Sequence, residues 1–390
     1  MNQGQTVLSQ IIAFISKYEF DKCVKRYNGN HRVRSFTCWE QYIVMSFAQL
    51  TYRESLRDIE SCLGAIGSKL YHSGIRSRIS RSTLAEANER RDWRIYYDYA
   101  SGLIKDARQL YLKDSSFNLD IDNLVYAFDS TTIDLCLSLF PWANFRQNKG
   151  AIKLHTQLDL RGSIPTFIHI TNGKVHDVNA LDLIQFEPGA IYILDRGYTD
   201  FKRLNSIDQA KSFFVIRAKD NLNFKRISST KTDKSKGVIA DQQVSLCGFY
   251  SSQDYPGNLR RIRYRDLESN QSYVFLTNNH HLPALTIAAL YKERWKIELF
   301  FKWIKQHLRI KSFYGTSPNA VYTQVWIAIS NYLLIAIIKK KLNLPQSLYS
   351  ILQVLSLTLF ERTPLKHLLK EENNTDLPPP NSNQLIIFDF

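Results

Sequence analysis

Four polar residues recur at helical spacing in an unusually aromatic segment, residues 291–306 (YKERWKIELFFKWIKQ). They are Tyr291, Arg294, Glu298 and Lys305. At about 100° per residue, these four side chains fall within an arc of about 60° on a helix. No Gly or Pro interrupts the segment, and large apolar residues border the arc, so the sequence predicts one largely buried helix. Charged groups on such a helix are expected to face something polar inside or beside the protein.

Two aspartates follow short apolar runs that have the composition of β-strands. Asp129 comes directly after VYAF, and Asp195 comes directly after IYIL. The carboxyl ends of neighbouring parallel strands meet at one edge of a sheet, where the sites of α/β proteins usually lie. With Glu298, the aspartates offer three hard carboxylate ligands, without a Cys or His cluster at zinc-ligand spacing. This set favours Mg²⁺ or Mn²⁺, and two such ions about 3.5–4 Å apart suit phosphodiester chemistry.

Each of the three acids also has a purely structural interpretation. Asp129 and Asp195 could cap the turns that follow them, because Asp is frequent at such positions. Glu298 could pair with Arg294 or Lys302, which lie one helical turn away. The combination of the three is more specific than any single member.

The elements that must position these residues form an α/β pattern after residue 120. Strands are predicted at residues 123–130, 151–160, 165–171, 190–195 and 212–219, with helices at 177–187 and 199–209. Three strands followed by alternating helices and strands describe a mixed sheet with flanking helices. A basic, β-rich insertion at about 220–285 precedes the aromatic helix. Residues 119–340 are therefore predicted to form one α/β domain that contains this insertion.

The remaining segments are predicted to be helical. Residues 1–118 form an all-helical N-terminal domain, and residues 341–390 a C-terminal helical segment that ends in a mobile tail (EENNTDLPPPNSNQ). A basic connection in the N-terminal domain leads into a basic helix, with five candidate DNA-binding residues: Arg76, Arg78, Arg81, Arg90 and Arg91. This order is consistent with a helix-turn-helix reader of DNA. A helical packing domain with an exposed basic face is an equal alternative.

Composition narrows the class of partner. The formal net charge is +15 and the isoelectric point about 9.4, which favours nucleic acid over an anionic membrane surface. The five cysteines are widely spaced and are expected to be buried, reduced thiols. An apolar stretch at residues 321–338 is interrupted by Gln324, Ser330 and Asn331, so we expect a core helix without a membrane span. The N-terminus lacks a signal-peptide pattern, and the expected location is cytoplasmic.

Taken together, these motifs resemble a known family. Tyr291, Arg294, Glu298 and Lys305 match the Y-(2)-R-(3)-E-(6)-K signature of bacterial insertion-sequence transposases of the DDE, cut-and-paste type. AFDSTT and ILDRGYTDF resemble the two aspartate motifs of that group, and KLHTQLD, TNGKVHD and two N-terminal segments are also similar. The resemblance covers about residues 8 to 360.

The resemblance implies an RNase H-like catalytic domain whose last helix supplies the glutamate. It implies cleavage of double-stranded DNA at terminal inverted repeats, in many members through a hairpin, and joining of the 3′-OH to target DNA by a homodimer. Tyr291, Arg294 and Lys305 would then hold the DNA strand near the cut. Trp295 would either stack on a displaced base or pack in the core.

One departure from the family concerns the hairpin route. Some relatives carry a stacking Trp on the β insertion, whereas this sequence has no Trp between residues 143 and 294. Tyr273 or Phe275 would have to replace it. Two histidines, His155 and His176, lie near the aspartate motifs in sequence and could either support the site or serve only the fold.

Two other functions compete with a transposase. One is a DNA-binding repressor or transposase relic that occupies element ends without cutting. The other is a structure-specific nuclease on the same fold, which would cut without joining. Retention of all three acids disfavours a relic, and the basic N-terminal and insertion segments favour an enzyme that holds specific ends.

Overall fold

The computed structural model describes residues 4–76, 78–112, 121–146, 149–307 and 313–370. The tail predicted to be mobile, residues 371–384, lies outside the described residues.

The N-terminal part is helical, as predicted. Its helices are α1 (Val7–Ile12), α2 (Lys17–Arg26), α3 (Cys38–Leu50), α4 (Leu56–Ile66), α5 (Arg81–Arg90) and α6 (Arg94–Tyr111). Local sequence explains where they begin. At α3, the Thr37 side chain accepts a hydrogen bond from the Glu40 amide while the Glu40 carboxylate accepts one from the Thr37 amide, a capping box.

In the part of the chain that the structure describes, ten strands form one central sheet. Its strands are β1 (Val125–Leu135), β2 (Asn144–Arg146), β3 (Lys149–Asp159), β4 (Ile164–Asn172), β5 (Ile191–Leu194), β6 (Phe213–Arg217), β7 (Phe224–Thr230), β8 (Val238–Leu246), β9 (Leu259–Arg265) and β10 (Ser272–Thr277). Their order is β2-β3-β1-β5-β6-β10-β9-β8-β7, and β4 pairs with β3. The β1–β5 and β5–β6 pairs are parallel and the others antiparallel. The predicted mixed sheet is confirmed, and the insertion extends this same sheet because β10 pairs with β6.

The later helices are α7 (Phe201–Gln209), α8 (Phe249–Asp254), α9 (Ala284–Glu293), α10 (Trp295–Lys302), α11 (Pro318–Lys341), α12 (Leu348–Thr358) and α13 (Leu365–Leu368). Two helix predictions need correction. The segment predicted as a helix at 177–187 is a short 3₁₀ helix, Asp177–Leu183. The aromatic segment is interrupted: α9 ends at Glu293, α10 begins at Trp295, and a π-helical turn follows at Trp303–His307.

Helix α11 is the central core helix of the molecule. It is long and apolar enough to cross a membrane, but 94% of its most apolar window is buried inside the protein. Each of its polar interruptions makes a hydrogen bond there. The Gln324 side chain accepts from the Tyr314 amide (2.9 Å), the Ser330 hydroxyl donates to the Trp326 carbonyl (2.9 Å), and the Asn331 side-chain amide donates to the Gln49 side chain (2.8 Å). Because α11 packs on α3, α5 and α6, the N-terminal helices share one hydrophobic core with α11. The domain boundary at residue 118 stays a prediction.

The cysteine prediction is partly wrong. Cys23 and Cys38 are buried, but Cys136 and Cys247 are exposed and Cys62 is half-buried. All five are free thiols.

Candidate active site

Parallel strand pairing places the two aspartates side by side. The paired residues of β1 and β5 run up to Phe128 and Leu194, and Asp129 and Asp195 follow directly at the same level. The expectation that both lie at strand ends holds only for Asp195. Strand β1 continues past Asp129 because its other neighbour, β3, pairs with it as far as Leu135.

Arg294, the residue between α9 and α10, contacts this edge of the sheet. Arg294 donates one terminal guanidinium nitrogen to Asp129 Oδ2 (3.0 Å) and the other to Glu298 Oε1 (2.6 Å). The Tyr291 hydroxyl lies 3.4 Å from Asp195 Oδ1, at the long limit of a hydrogen bond. The polar arc inferred from helical spacing therefore faces the aspartates, and three separate elements supply the three acids.

The centre of the cluster is shielded from solvent. The side chains of Arg294, Asp129 and Glu298 are 16%, 20% and 34% exposed. Burial raises the pKa of Asp129 to about 6; the Ser130 amide and Arg294 oppose this rise, whereas the nearby charges of Asp195 and Glu298 add to it. Burial likewise raises the pKa of Tyr291 to about 12. The protonated form of the Asp129 carboxyl is thus easier to populate than that of an exposed aspartate.

Two cavities adjoin the cluster, and Glu298 lines both. The first, of about 560 Å³, contains Asp129, Lys302 and Lys305 in its wall. The second, of about 680 Å³, contains Asp195 and a set of aromatic and basic side chains: Arg217, Tyr264, Tyr273, Phe275, Tyr291, Arg294 and Trp295. The first thus has two lysine side chains in its wall, and the second has several flat aromatic surfaces beside two arginines.

The donor set fits Mg²⁺ or Mn²⁺ by its chemistry, because all three candidate ligands are carboxylates. Within the described ranges, however, no group of three or more His, Cys, Asp or Glu side chains lies close enough together to hold an ion. The Arg294 guanidinium instead bridges Asp129 and Glu298. Ion binding by these residues would require that guanidinium to move.

The remaining residues predicted near the cut have distinct environments. Trp295 is 58% exposed, which excludes the alternative of core packing, and it lines the cavity that contains Asp195. Leu299 is 48% exposed, so the prediction of a largely buried helix is wrong on this side. Lys305 lies on the π-helical turn, and π turns are frequent at functional sites.

The N-terminal arginines divide into two groups. Arg76, Arg78, Arg81 and Arg90 are exposed, and Arg90 forms an ion pair with Glu86 (2.7 Å). Arg91 is half-buried, and its guanidinium donates to the Phe36 carbonyl, to the Thr37 carbonyl (2.9 Å) and to the Gln41 side chain (2.9 Å). Arg91 therefore stabilises the start of α3, and the structure does not support its selection as a DNA contact.

The two histidines differ as well. His155 is fully buried, lies opposite Ser130 in the sheet and shares a hydrogen bond with Thr171 (2.9 Å). Burial lowers the pKa of His155 to about 4, so it is neutral near pH 7. His176 is exposed at the start of a 3₁₀ helix. The burial and the hydrogen bond of His155 thus favour a role in the fold.

Sequence reasoning missed Arg217. It follows Ile216, which pairs with Leu194 in the parallel β5–β6 ladder, so Arg217 lies level with Asp195. Its guanidinium lies 5.4 Å from the centre of the Tyr273 ring, and Tyr273 stacks on Phe275. The same strand-end reasoning that selected Asp195 applies to Arg217, because both follow apolar strand runs.

The family comparison agrees with this geometry. A family model described as the transposase DDE domain matches residues 121–334, which include all three acids. The chain belongs to the transposase DDE domain family. A second model, a domain of unknown function (DUF4372), matches residues 3–76. Transposases are DNA-cleaving and strand-transferring enzymes.

Three relatives carry transposase names. A provisionally named transposase, y4zB, of Sinorhizobium fredii is 34% identical over 283 residues, 72% of this chain and 77% of the relative. A protein of Geobacillus stearothermophilus, provisionally named as the transposase of insertion sequence element IS5377, is 30% identical over 213 residues, 53% of this chain and 54% of the relative. A third, of Synechocystis, is provisionally named for insertion sequence element IS4SA and is 22% identical over 294 residues, 74% of this chain and 81% of the relative. The chain is thus an insertion-sequence transposase of the DDE family.

Proposed function

We propose that this transposase binds the terminal inverted repeats of its element, cleaves the DNA there and joins the freed 3′-OH ends to target DNA. The observation that carries the proposal is the convergence of Asp129, Asp195 and Glu298 from β1, the end of β5 and α10. These carboxylates would hold two Mg²⁺ or Mn²⁺ ions on an RNase H-like sheet. When bound, such ions activate the attacking oxygen and stabilise the leaving oxygen of a phosphodiester.

The basic and aromatic side chains beside the acids would orient the DNA strand. Arg294 and Lys305 cannot ligate a cation, but they suit phosphate oxygens on either side of the cut. The cavity beside Asp195 supports a second role, since Tyr273, Phe275 and Trp295 offer ring faces near Arg217. We propose that this cavity receives a base displaced from the helix. A hairpin intermediate is compatible with this arrangement despite the lack of a Trp on the insertion.

End recognition is assigned to the N-terminal helices, through the exposed residues Arg76, Arg78, Arg81 and Arg90. Phosphate contacts from such residues make binding weaken steeply with salt. Two copies of the chain would hold two element ends, so the DNA complex is proposed to be a homodimer. The reaction is proposed to take place in the bacterial cytoplasm.

The test is cleavage of a labelled duplex that carries one element end. Purified protein should cut it in Mg²⁺ or Mn²⁺ and should not cut a duplex of shuffled sequence. Equal cleavage in excess EDTA would contradict the metal assignment. Binding without cleavage under all ionic conditions would favour the repressor, and cleavage without joining to a target plasmid would favour the nuclease.

A further inference from the structure

Two of the three candidate ligands are already ion-paired within the protein. Arg294 forms ion pairs with Asp129 (3.0 Å) and Glu298 (2.6 Å), two of the three acids. Its guanidinium therefore lies between two carboxylates that would both face a divalent ion. A single cationic side chain and an ion cannot occupy that position together.

The guanidinium is incompletely satisfied in this position. The Arg294 Nε–H is buried and has no hydrogen-bond partner among the described residues, although both terminal nitrogens are bonded. A buried donor without an acceptor is destabilising, and a phosphate group accepts two parallel hydrogen bonds from a guanidinium. A DNA phosphate at the edge of the cluster would therefore compete well for Arg294.

The backbone at Arg294 offers a place for movement. Arg294 lies between the last residue of α9, Glu293, and the first residue of α10, Trp295. Its amide donates to the Tyr291 carbonyl, and the Ile297 amide donates to the Arg294 carbonyl. These tight i to i+3 bonds interrupt the α-helix at this one residue. Such interruptions within helices often mark functional hinges. A small backbone change at Arg294 would redirect the side chain and leave both helices intact.

We propose that Arg294 is an internal counter-ion that excludes divalent ions from Asp129 and Glu298 until a DNA phosphate draws the guanidinium away. The inference rests on the proposed function in one respect, namely that these two carboxylates hold the ion. It adds a reason why the enzyme would hold its ions weakly in the absence of DNA. Arg294 would then be a positioning residue with two successive roles. It would first pair with the two acids and, after DNA binds, hold the DNA phosphate.

The experiment measures Mn²⁺ binding to the full chain without DNA, by the electron paramagnetic resonance signal of free Mn²⁺. The variants are Arg294→Met, which removes the bridging charge, and Arg294→Lys. The lysine keeps the positive charge but lacks the two terminal nitrogens that bond Asp129 and Glu298. Lys302→Met is the matched control, because Lys302 lines the same cavity as Asp129 and Glu298. Arg294→Met should bind Mn²⁺ at least about tenfold more tightly than the unaltered chain, and Lys302→Met should differ by less than about threefold. Arg294→Lys should fall between these two.

Two outcomes overturn the proposal. One is equal Mn²⁺ affinity of Arg294→Met and the unaltered chain, with circular dichroism showing both folded. The other is a gain in affinity that persists in an Asp129→Asn, Arg294→Met double variant, since the gained ion would then lie elsewhere. Because cleavage is not read, these results are independent of whether the chain cuts DNA.

Discussion

Replacing Glu298 with Gln separates the catalytic role of this residue from its structural one. Glu298 Oε1 accepts a hydrogen bond of 2.6 Å from Arg294, and the amide oxygen of Gln can accept the same bond without the charge. The Glu298 side chain is 34% exposed, so solvent screens the lost ion pair. We expect the free energy of unfolding to change by no more than about 1 kcal/mol.

Cleavage should respond far more strongly than stability. A missing metal ligand removes several kcal/mol of transition-state stabilisation, and about 4 kcal/mol slows a reaction by about 10³-fold. Binding to element ends should persist, because Arg294 and Lys305 remain. Arg294→Ala and Lys305→Ala should fail differently from Glu298→Gln, because both impair strand positioning and permit a first nick without the later steps. Ion binding should be strengthened in Arg294→Ala, which removes the bridging charge, and kept in Lys305→Ala.

The assay follows binding, nicking and double-strand cleavage of one labelled element end on gels. Glu293→Gln is the matched control, because Glu293 lies on the same helical segment, is 32% exposed and pairs with Lys296 at 2.7 Å. It should cleave at a near-normal rate. Cleavage by Glu298→Gln within about threefold of the unaltered chain would refute the reasoning and leave Glu298 as a structural partner of Arg294.

Three further outcomes are expected. Burial lowers the pKa of His155 from 6.5 to about 4 in the folded protein. As pH falls, His155 therefore takes up its proton at a higher pH in the unfolded chain than in the folded one. The free energy of unfolding should decrease between about pH 6.5 and pH 4 for this reason. We expect the free energy of unfolding, measured with urea, to decrease from pH 7 to pH 4 by up to about 3 kcal/mol more in the unaltered chain than in His155→Gln. Equal decreases in the two proteins would contradict the effect of burial on His155. Trp295→Ala should leave the free energy of unfolding within about 0.5 kcal/mol, because the ring is exposed, but should reduce cleavage beyond the first nick, as read on the same gels. Arg76→Ala and Arg81→Ala should each lower the salt dependence of end binding by about one unit of slope, and unchanged slopes would remove the N-terminal helices from the phosphate contacts.

The sheet and its acids were accessible to sequence reasoning because they follow short-range rules. The apolar runs before Asp129 and Asp195 predict strands, and helical spacing places Glu298 beside Arg294. Parallel pairing then brings the two aspartates together without further information. The family signature adds the order of these motifs along the chain.

Other features depend on tertiary packing that a local pattern does not contain. The interruption at Arg294 occurs in a segment without Gly or Pro, so composition gives no signal for it. The role of Arg91 depends on carbonyl groups at residues 36 and 37, which are distant in sequence. The shared core of α11 with the N-terminal helices likewise joins segments separated by more than two hundred residues.

Ligation of the catalytic ion by Asp195 is tested most directly by the cleavage of a labelled element end by Asp195→Cys in Mg²⁺ and in Mn²⁺. A thiolate is a soft ligand, and Mn²⁺ tolerates it better than Mg²⁺ does. We expect a strong loss of cleavage in Mg²⁺ and partial recovery in Mn²⁺. Asp220→Cys, at a carboxylate that is 97% exposed, should behave like the unaltered chain in both ions. Normal cleavage by Asp195→Cys in Mg²⁺, or an equal loss in both ions, would contradict ligation of the catalytic ion by Asp195.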